Sequence, residues 1–136
     1  MDKVGVQFHN PGALHKNPAF SQMVTVSGPA RTIYIGAQFA VNAEGAIIGK
    51  GDIGAQTEQI LANIEACLRA AEAGPENLIL WRIFVAEGQD MRPGFEAGMR
   101  WWGDRPNPPL NTVMYVPGFS PPDILISIEA VAVVPE

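Results

Sequence analysis

The sequence predicts an α+β sandwich, with elements in the order β-β-α-β-α-β-β and both helices on one face of a mixed sheet. Three observations carry this. Residues 53–73 place Ile60, Leu61, Ile64, Cys67, Leu68 and Ala71 at helical spacing, a single core-facing stripe. Residues 78–85 are apolar apart from Arg82, the pattern of a central strand covered on both faces. Two apolar runs, 113–116 and 124–134, flank a turn carrying Pro117, Gly118, Pro121 and Pro122. That pattern predicts a β-hairpin closing the C-terminal edge of the sheet.

The remaining elements follow in order. Residues 1–20 are rich in polar residues, proline and glycine and read mostly as loop, with an extended piece at 4–8. Residues 22–26 form a short strand that turns at Ser27-Gly28-Pro29. Residues 31–39 read as a central strand, with Gly36 marking a bulge or a close backbone approach. Asn42 to Gly45 is a turn, and Ile47-Ile48 a short extended piece. Asp52 is the expected N-cap of the first helix, because its carboxylate can accept from an orphan N–H. Gly74-Pro75 is the expected stop, glycine for a left-handed exit and proline to forbid continuation. Glu65 and Arg69 form an exposed i,i+4 pair. A second, shorter helix spans 91–102, with Pro93 in its first turn and Phe95, Met99 and Trp102 on one face.

The 136 residues read as one domain, 1–136, large enough to bury a core without disulfides or metal staples. Charged residues make up only 17% of the chain, so exposed apolar surface and self-association are expected. The net charge is −5, and nine basic residues are scattered without a stripe. Nucleic acid is therefore not an expected partner, since phosphate binding needs clustered Lys and Arg. The single Cys67 allows no internal disulfide. His9 and His15 offer no metal-ligand spacing. With no signal-peptide pattern and no apolar run of bilayer length, the chain is expected to be soluble and cytoplasmic, without a membrane anchor.

Gly51 to Ile64, residues 79–85 with Asp90-Met91, Pro108 to Val113 and residues 126–133 are four stretches that together resemble the Rid family, the YjgF-like reactive-intermediate deaminases. Gly51 to Ile64, with its Ala55-Gln56-Thr57 and Asn63-Ile64 elements, is similar to the family's first helix. Residues 79–85 followed by Asp90-Met91 resemble its central strand and acidic turn. Pro108-Pro109 followed by Val113 sits where the family has Pro-Ala-Arg-Ser-x-Val, and residues 126–133 resemble its closing strand, Val-Glu-Ile-Glu-Ala-Ile-Ala. The resemblance implies a chorismate-mutase-like fold and a homotrimer, whose strands line a barrel with small-molecule clefts between subunits. It also implies hydrolysis of small enamines and imines without metal or organic cofactor. In the family an arginine grips the substrate carboxylate with two prongs, and a glutamate on the closing strand positions water or moves a proton.

This chain departs from that pattern. Leu110 occupies the arginine position, Ser127 the first glutamate and Phe20 the tyrosine of an early Gly-Pro-Tyr segment, while Glu129 retains the second glutamate. Leucine cannot hold a carboxylate, and serine without a neighbouring base is a weak nucleophile. The catalytic candidates are Ser127 and Glu129, which lie two apart and share a strand face. The competing reading makes Glu129 a buried carboxylate satisfied by backbone or Arg82, and Ser127 filler. Candidate cleft residues are Phe20, Gly36, Gln38, Leu110, Asn111 and Thr112; the polar ones read otherwise as strand-end groups. Trp101-Trp102 suits core or interface packing better than a ligand wall, and Cys67 a buried small hydrophobe. Gly49 to Asp52 lacks the spacing of a phosphate loop. Arg105 is the nearby cation that could substitute for the missing arginine. The two functional expectations are an imine or enamine hydrolase with altered specificity, and a non-catalytic metabolite-binding trimer. Ribonuclease activity, attributed to relatives, is disfavoured by the acidic charge and the lack of paired histidines.

Overall fold

A computed structural model describes residues 5–136. The strands are β1 (Gly5–His9), β2 (Met23–Ser27), β3 (Ala30–Gln38), β4 (Leu78–Ala86), β5 (Leu110–Val116) and β6 (Ile126–Pro135), and the helices α1 (Ile53–Ala70) and α2 (Arg92–Trp102). β1 and β2 form a small antiparallel ribbon, Gly5 opposite Ser27. Val4, the start of the expected extended piece, lies outside the described residues. The main sheet has the order β3-β6-β4-β5, with β4 and β5 parallel and the other pairs antiparallel. Fold class, mixed sheet and the two helices on one face are as the sequence predicts.

α1 packs on β6 and β3 through Ile53, Ile60, Ile64 and Leu68, which meet Ile126, Ile128, Ala130 and Ala132 in one core. Asp52 caps it as expected, Oδ1 accepting from the Ala55 N–H at 3.0 Å. Its exit differs. Glu72, not Gly74, takes the left-handed conformation (φ 58°), and the Ala73 N–H reaches back to the Leu68 carbonyl at 2.8 Å. That back-bond closes the helix two residues before glycine is available.

The C-terminal hairpin is not formed. β4 lies between β5 and β6, so the two runs flanking the proline-rich turn never pair. A residue within α1 anchors the end of that turn. Gln56, fully buried, donates to the carbonyl of Asp123 at 2.7 Å and accepts from the N–H of Leu125 at 2.8 Å. It thereby ties the end of the turn to the helix. Beside it the Ala86 N–H donates to the Leu125 carbonyl at 2.9 Å. The chain is thus carried past the end of β4 before β6 begins. β6 becomes an interior strand, which its unbroken apolar run suits. β3, read as central, is instead an edge of the sheet within the single chain. β4 is interior, but only its helix-side face is covered, and Arg82 on the other face is exposed.

Candidate functional site

Strand register sorts the candidates between the two faces of the sheet, because residues directly opposite one another share a face. Ile83 and Val85 point into the core under the helices. The alternate residues of β4 therefore face outward. Arg82 lies opposite Glu129 on β6 and Thr112 on β5, and Phe84 opposite Ser127 and Met114. Leu80 lies opposite Leu110 and Val131. Leu110, Thr112, Ser127 and Glu129 thus share one open face, with Tyr34, 81% exposed, and Met114, 49% exposed.

The bulge in β3 decides the positions of Gly36 and Gln38. Ile35 pairs with Ala130 and Gln38 with Ile128, so the chain spends one residue more than its partner between these points. Gly36 and Ala37 both fall opposite Glu129, and a shallow depression is lined by Tyr34, Gly36, Arg82, Glu129 and Val131. The same extra residue turns Gln38 to the side of Ile128, and its Nε2 donates to the Gly36 carbonyl at 3.2 Å. Asn111 is likewise apart from its neighbours: it pairs with Trp81 and lines a cavity on the helix side. Phe20 is half-buried next to Ser21, whose hydroxyl donates to the Pro108 carbonyl at 2.6 Å. That clasp holds the N-terminal loop against the chain entering Leu110.

The catalytic candidates differ in environment. Ser127 is only 3% exposed even in the single chain. Glu129 is half-buried and pairs with Arg82, Oε1 to Nη1 at 3.1 Å, one of the two partners anticipated for it. The pair sits at the rim of the depression, where water reaches both groups. Arg105 does not approach this face. Its Nη1 donates to the carbonyls of Trp101 at 2.7 Å and Trp102 at 3.0 Å, and its guanidinium lies over both rings, 5.7 and 5.9 Å from the centroids. It closes the C-terminus of α2, where a cation complements the helix dipole. His9 is engaged with the Thr25 hydroxyl at 2.9 Å in the β1–β2 ribbon. Cys67 is partly buried against the core.

The perturbed acid lies elsewhere. At the start of α2 the Arg92 guanidinium and backbone N–H both donate to Asp90, which holds that carboxyl below its ordinary value. Asp90 is exposed and serves the helix start.

The sequence now has known relatives to set beside this geometry. Residues 12–134 match the endoribonuclease L-PSP family. The chain belongs to that family, the YjgF/Rid proteins. A RutC family protein of Pyrococcus horikoshii is 31% identical over 100 residues, 74% of this chain and 77% of its own length. The Rid-family protein YyfB of Yersinia pestis superposes with a TM-score of 0.84 at 30% identity, covering 96% of this chain and all of that one. E. coli TdcF, solved with bound serine, shares the fold with a TM-score of 0.68 at 23% identity, over 76% of this chain and 80% of its own.

Within this Rid chain, sequence reading missed Tyr34 and Phe84 on the open face. Their only signal was spacing, two residues from Gly36 and Arg82. It missed Gln56 as a structural anchor because a glutamine in a helix reads as solvated. It also did not anticipate the cavity beneath α2, for which Gly94 and Gly98, four apart, were the trace.

Proposed function

We propose that this Rid protein is a homotrimer with small-molecule clefts between subunits on the open sheet face, and that it hydrolyses small uncharged imines or their enamine tautomers. The carrying observation is the charge pattern of that face. Leu110 stands at the family's arginine position, Arg82 is already paired with Glu129 at 3.1 Å, and Arg105 is committed to the end of α2. A substrate carboxylate would meet no free cation among these groups. A neutral substrate loses nothing by that.

Assembly is supported by the apolar character of the face. Tyr34 and Met114 are largely exposed beside Phe84 and Leu110, and a trimer covering them removes that surface from water. The chemistry is simple. Water adds across the C=N bond, with one of its protons passing to nitrogen. The new hydroxyl then gives its proton to the amine as the C–N bond breaks, so that ammonia leaves and the carbonyl forms. An enamine first takes a proton at carbon and loses one from nitrogen to become the imine. Glu129 at the rim positions the water and accepts its proton. Arg82 orients Glu129. Ser127 forms the floor, and Leu110 and Phe20 supply an apolar wall.

A second reading is favoured by the same ion pair. Glu129 is already engaged by Arg82 at 3.1 Å, so a cleft built on the pair could bind a neutral metabolite without turning it over. The endoribonuclease of the family's name has little support here, since His9 is engaged with Thr25 and the chain carries a net charge of −5.

The test combines light scattering with an ammonia-release assay on small neutral imines. The expected result is trimer mass and a turnover that Glu129→Gln removes. Trimer mass and saturable binding without ammonia release select the binding reading. A monomer inactive on all imines overturns both.

A further inference from the structure

We propose a second small-molecule site, distinct from the open-face cleft and independent of it, inside each subunit between α2 and the β4–β5 edge. The ligand class is a small uncharged molecule built on one apolar ring, with at most one polar substituent.

The observation is a cavity on the helix side of the sheet, walled by Leu61, Trp81, Ile83, Met91, Met99 and Trp102. The cavity has a volume of about 100 Å³. On that measure one water needs only about 10–15 Å³. The space is therefore several waters large, yet its walls offer water little. Of the polar side-chain groups lining it, the Thr57 hydroxyl already donates to the Ile53 carbonyl at 2.7 Å and the Trp102 N–H to the Arg105 carbonyl at 2.8 Å, which leaves Asn111 and the Trp81 N–H. So apolar a lining offers several waters few partners, and their replacement by an apolar ring is favourable.

Two glycines of α2 line this cavity, and they have different reasons. A Cβ at Gly94 would come within 3.1 Å of the Thr57 hydroxyl and 3.3 Å of the Met91 sulfur, so close packing of α2 on α1 favours glycine there. A Cβ at Gly98 would meet nothing within 4 Å, and its φ lies outside the left-handed region. Neither backbone nor packing explains it, although a glycine inside a helix costs about 1 kcal/mol relative to alanine. What Gly98 preserves is the space itself.

The walls also suit a ring. Trp81 and Trp102 stand edge-to-face, centroids 6.5 Å apart at 66°, and offer the ring edges and faces that aromatic partners prefer. The flexible side chains of Met91 and Met99 adapt to shape. Phe95 and Val113, both exposed, stand at the mouth and give an entry from solvent. Asn111 can donate to or accept from a single hydroxyl or carbonyl.

The probes are benzene, phenol and bromobenzene, added to the purified full-length protein. Benzene or phenol at about ten times its Kd is expected to raise the melting temperature by about 3–5 °C. Bromobenzene is expected to quench tryptophan emission in a saturable way, because Trp81 and Trp102 line the cavity; this readout needs no variant. Gly98→Leu, which extends into the space and improves helix propensity, should keep the fold and lose both responses. Glu129→Gln should keep both, which separates this site from the open-face cleft. The proposal is overturned if none of the three probes shifts the melting temperature and bromobenzene quenches only in proportion to concentration. It is equally overturned if a folded Gly98→Leu responds like the unaltered protein.

Discussion

Arg82 and Glu129 face each other across β4 and β6, Nη1 3.1 Å from Oε1, on the sheet face that the helices leave uncovered. Both remain partly exposed, so the pair contributes little to stability; exposed ion pairs give about 0–1 kcal/mol. Its importance is chemical. It supplies the open face with a carboxylate and at the same time occupies the cation beside it.

Replacing Glu129 by Gln keeps size and hydrogen bonding and removes the proposed base. Ammonia release from a neutral imine should fall by about 10²-fold or more, with the melting temperature nearly unchanged. Replacing Ser127 by Ala should cost much less, because Ser127 is almost covered and has no base of its own. If Ser127→Ala and Glu129→Gln proved equally damaging, the assignment of the proton-accepting role to Glu129 would be wrong.

Leu110→Arg tests the substrate charge. A guanidinium at this position would stand on the open face beside Leu80 and the Arg82–Glu129 pair. It should make 2-aminoacrylate a better substrate by about tenfold or more, since a two-pronged carboxylate contact is among the stronger hydrogen-bonded pairs. Steady-state kinetics on 2-aminoacrylate generated in the cuvette would show it. An unchanged or lower rate would place the substrate-recognising group elsewhere.

Gln56 is the joint between α1 and the start of β6. Gln56→Leu leaves the Leu125 N–H and the Asp123 carbonyl without their partner, and should destabilise the fold by about 2–4 kcal/mol. Urea unfolding measures this directly. A loss below about 0.5 kcal/mol would mean that water or relaxation replaces the glutamine.

The start of α2 should respond to acid. Asp90 has its carboxyl lowered first by the side-chain hydrogen bonds from Arg92 and then by the backbone one. Its support of the helix start is complete above the unfolded-state value near pH 3.9 and is lost as the pH falls through the lower folded-state value. The Arg92 amide should therefore stay protected from hydrogen exchange at pH 5 and still at pH 4, and lose protection only as the pH falls further. Asp90→Asn should remove the pH dependence. Protection lost already at pH 5 would contradict the Asp90–Arg92 arrangement.

Much of the fold was legible because periodicity and caps are local. The stripe of Ile60, Ile64 and Leu68 and the cap at Asp52 located α1, and Gly36 marked the bulge. Strand neighbours were not local. The turn between β5 and β6 announces a reversal, but β4 lies between the two runs, and the turn's end is tied to Gln56, some 70 residues earlier. The site followed the same rule. Alternation placed Ser127 and Glu129 on one face, and it also separates Asn111 from Leu110 and Thr112. The turn of Gln38 away from Gly36 depends on one extra bulge residue, and the capture of Arg105 by two tryptophan carbonyls depends on where α2 ends. No spacing in the sequence encodes either.

The open-face cleft is proposed to take a neutral substrate. A matched pair tests this most directly: 2-aminoacrylate and its amide, each generated in place and followed by ammonia release under identical conditions. The amide should turn over faster, by about tenfold or more in kcat/KM, a difference of about 1.4 kcal/mol in transition-state binding. Preferential turnover of the carboxylate by the same margin would contradict it.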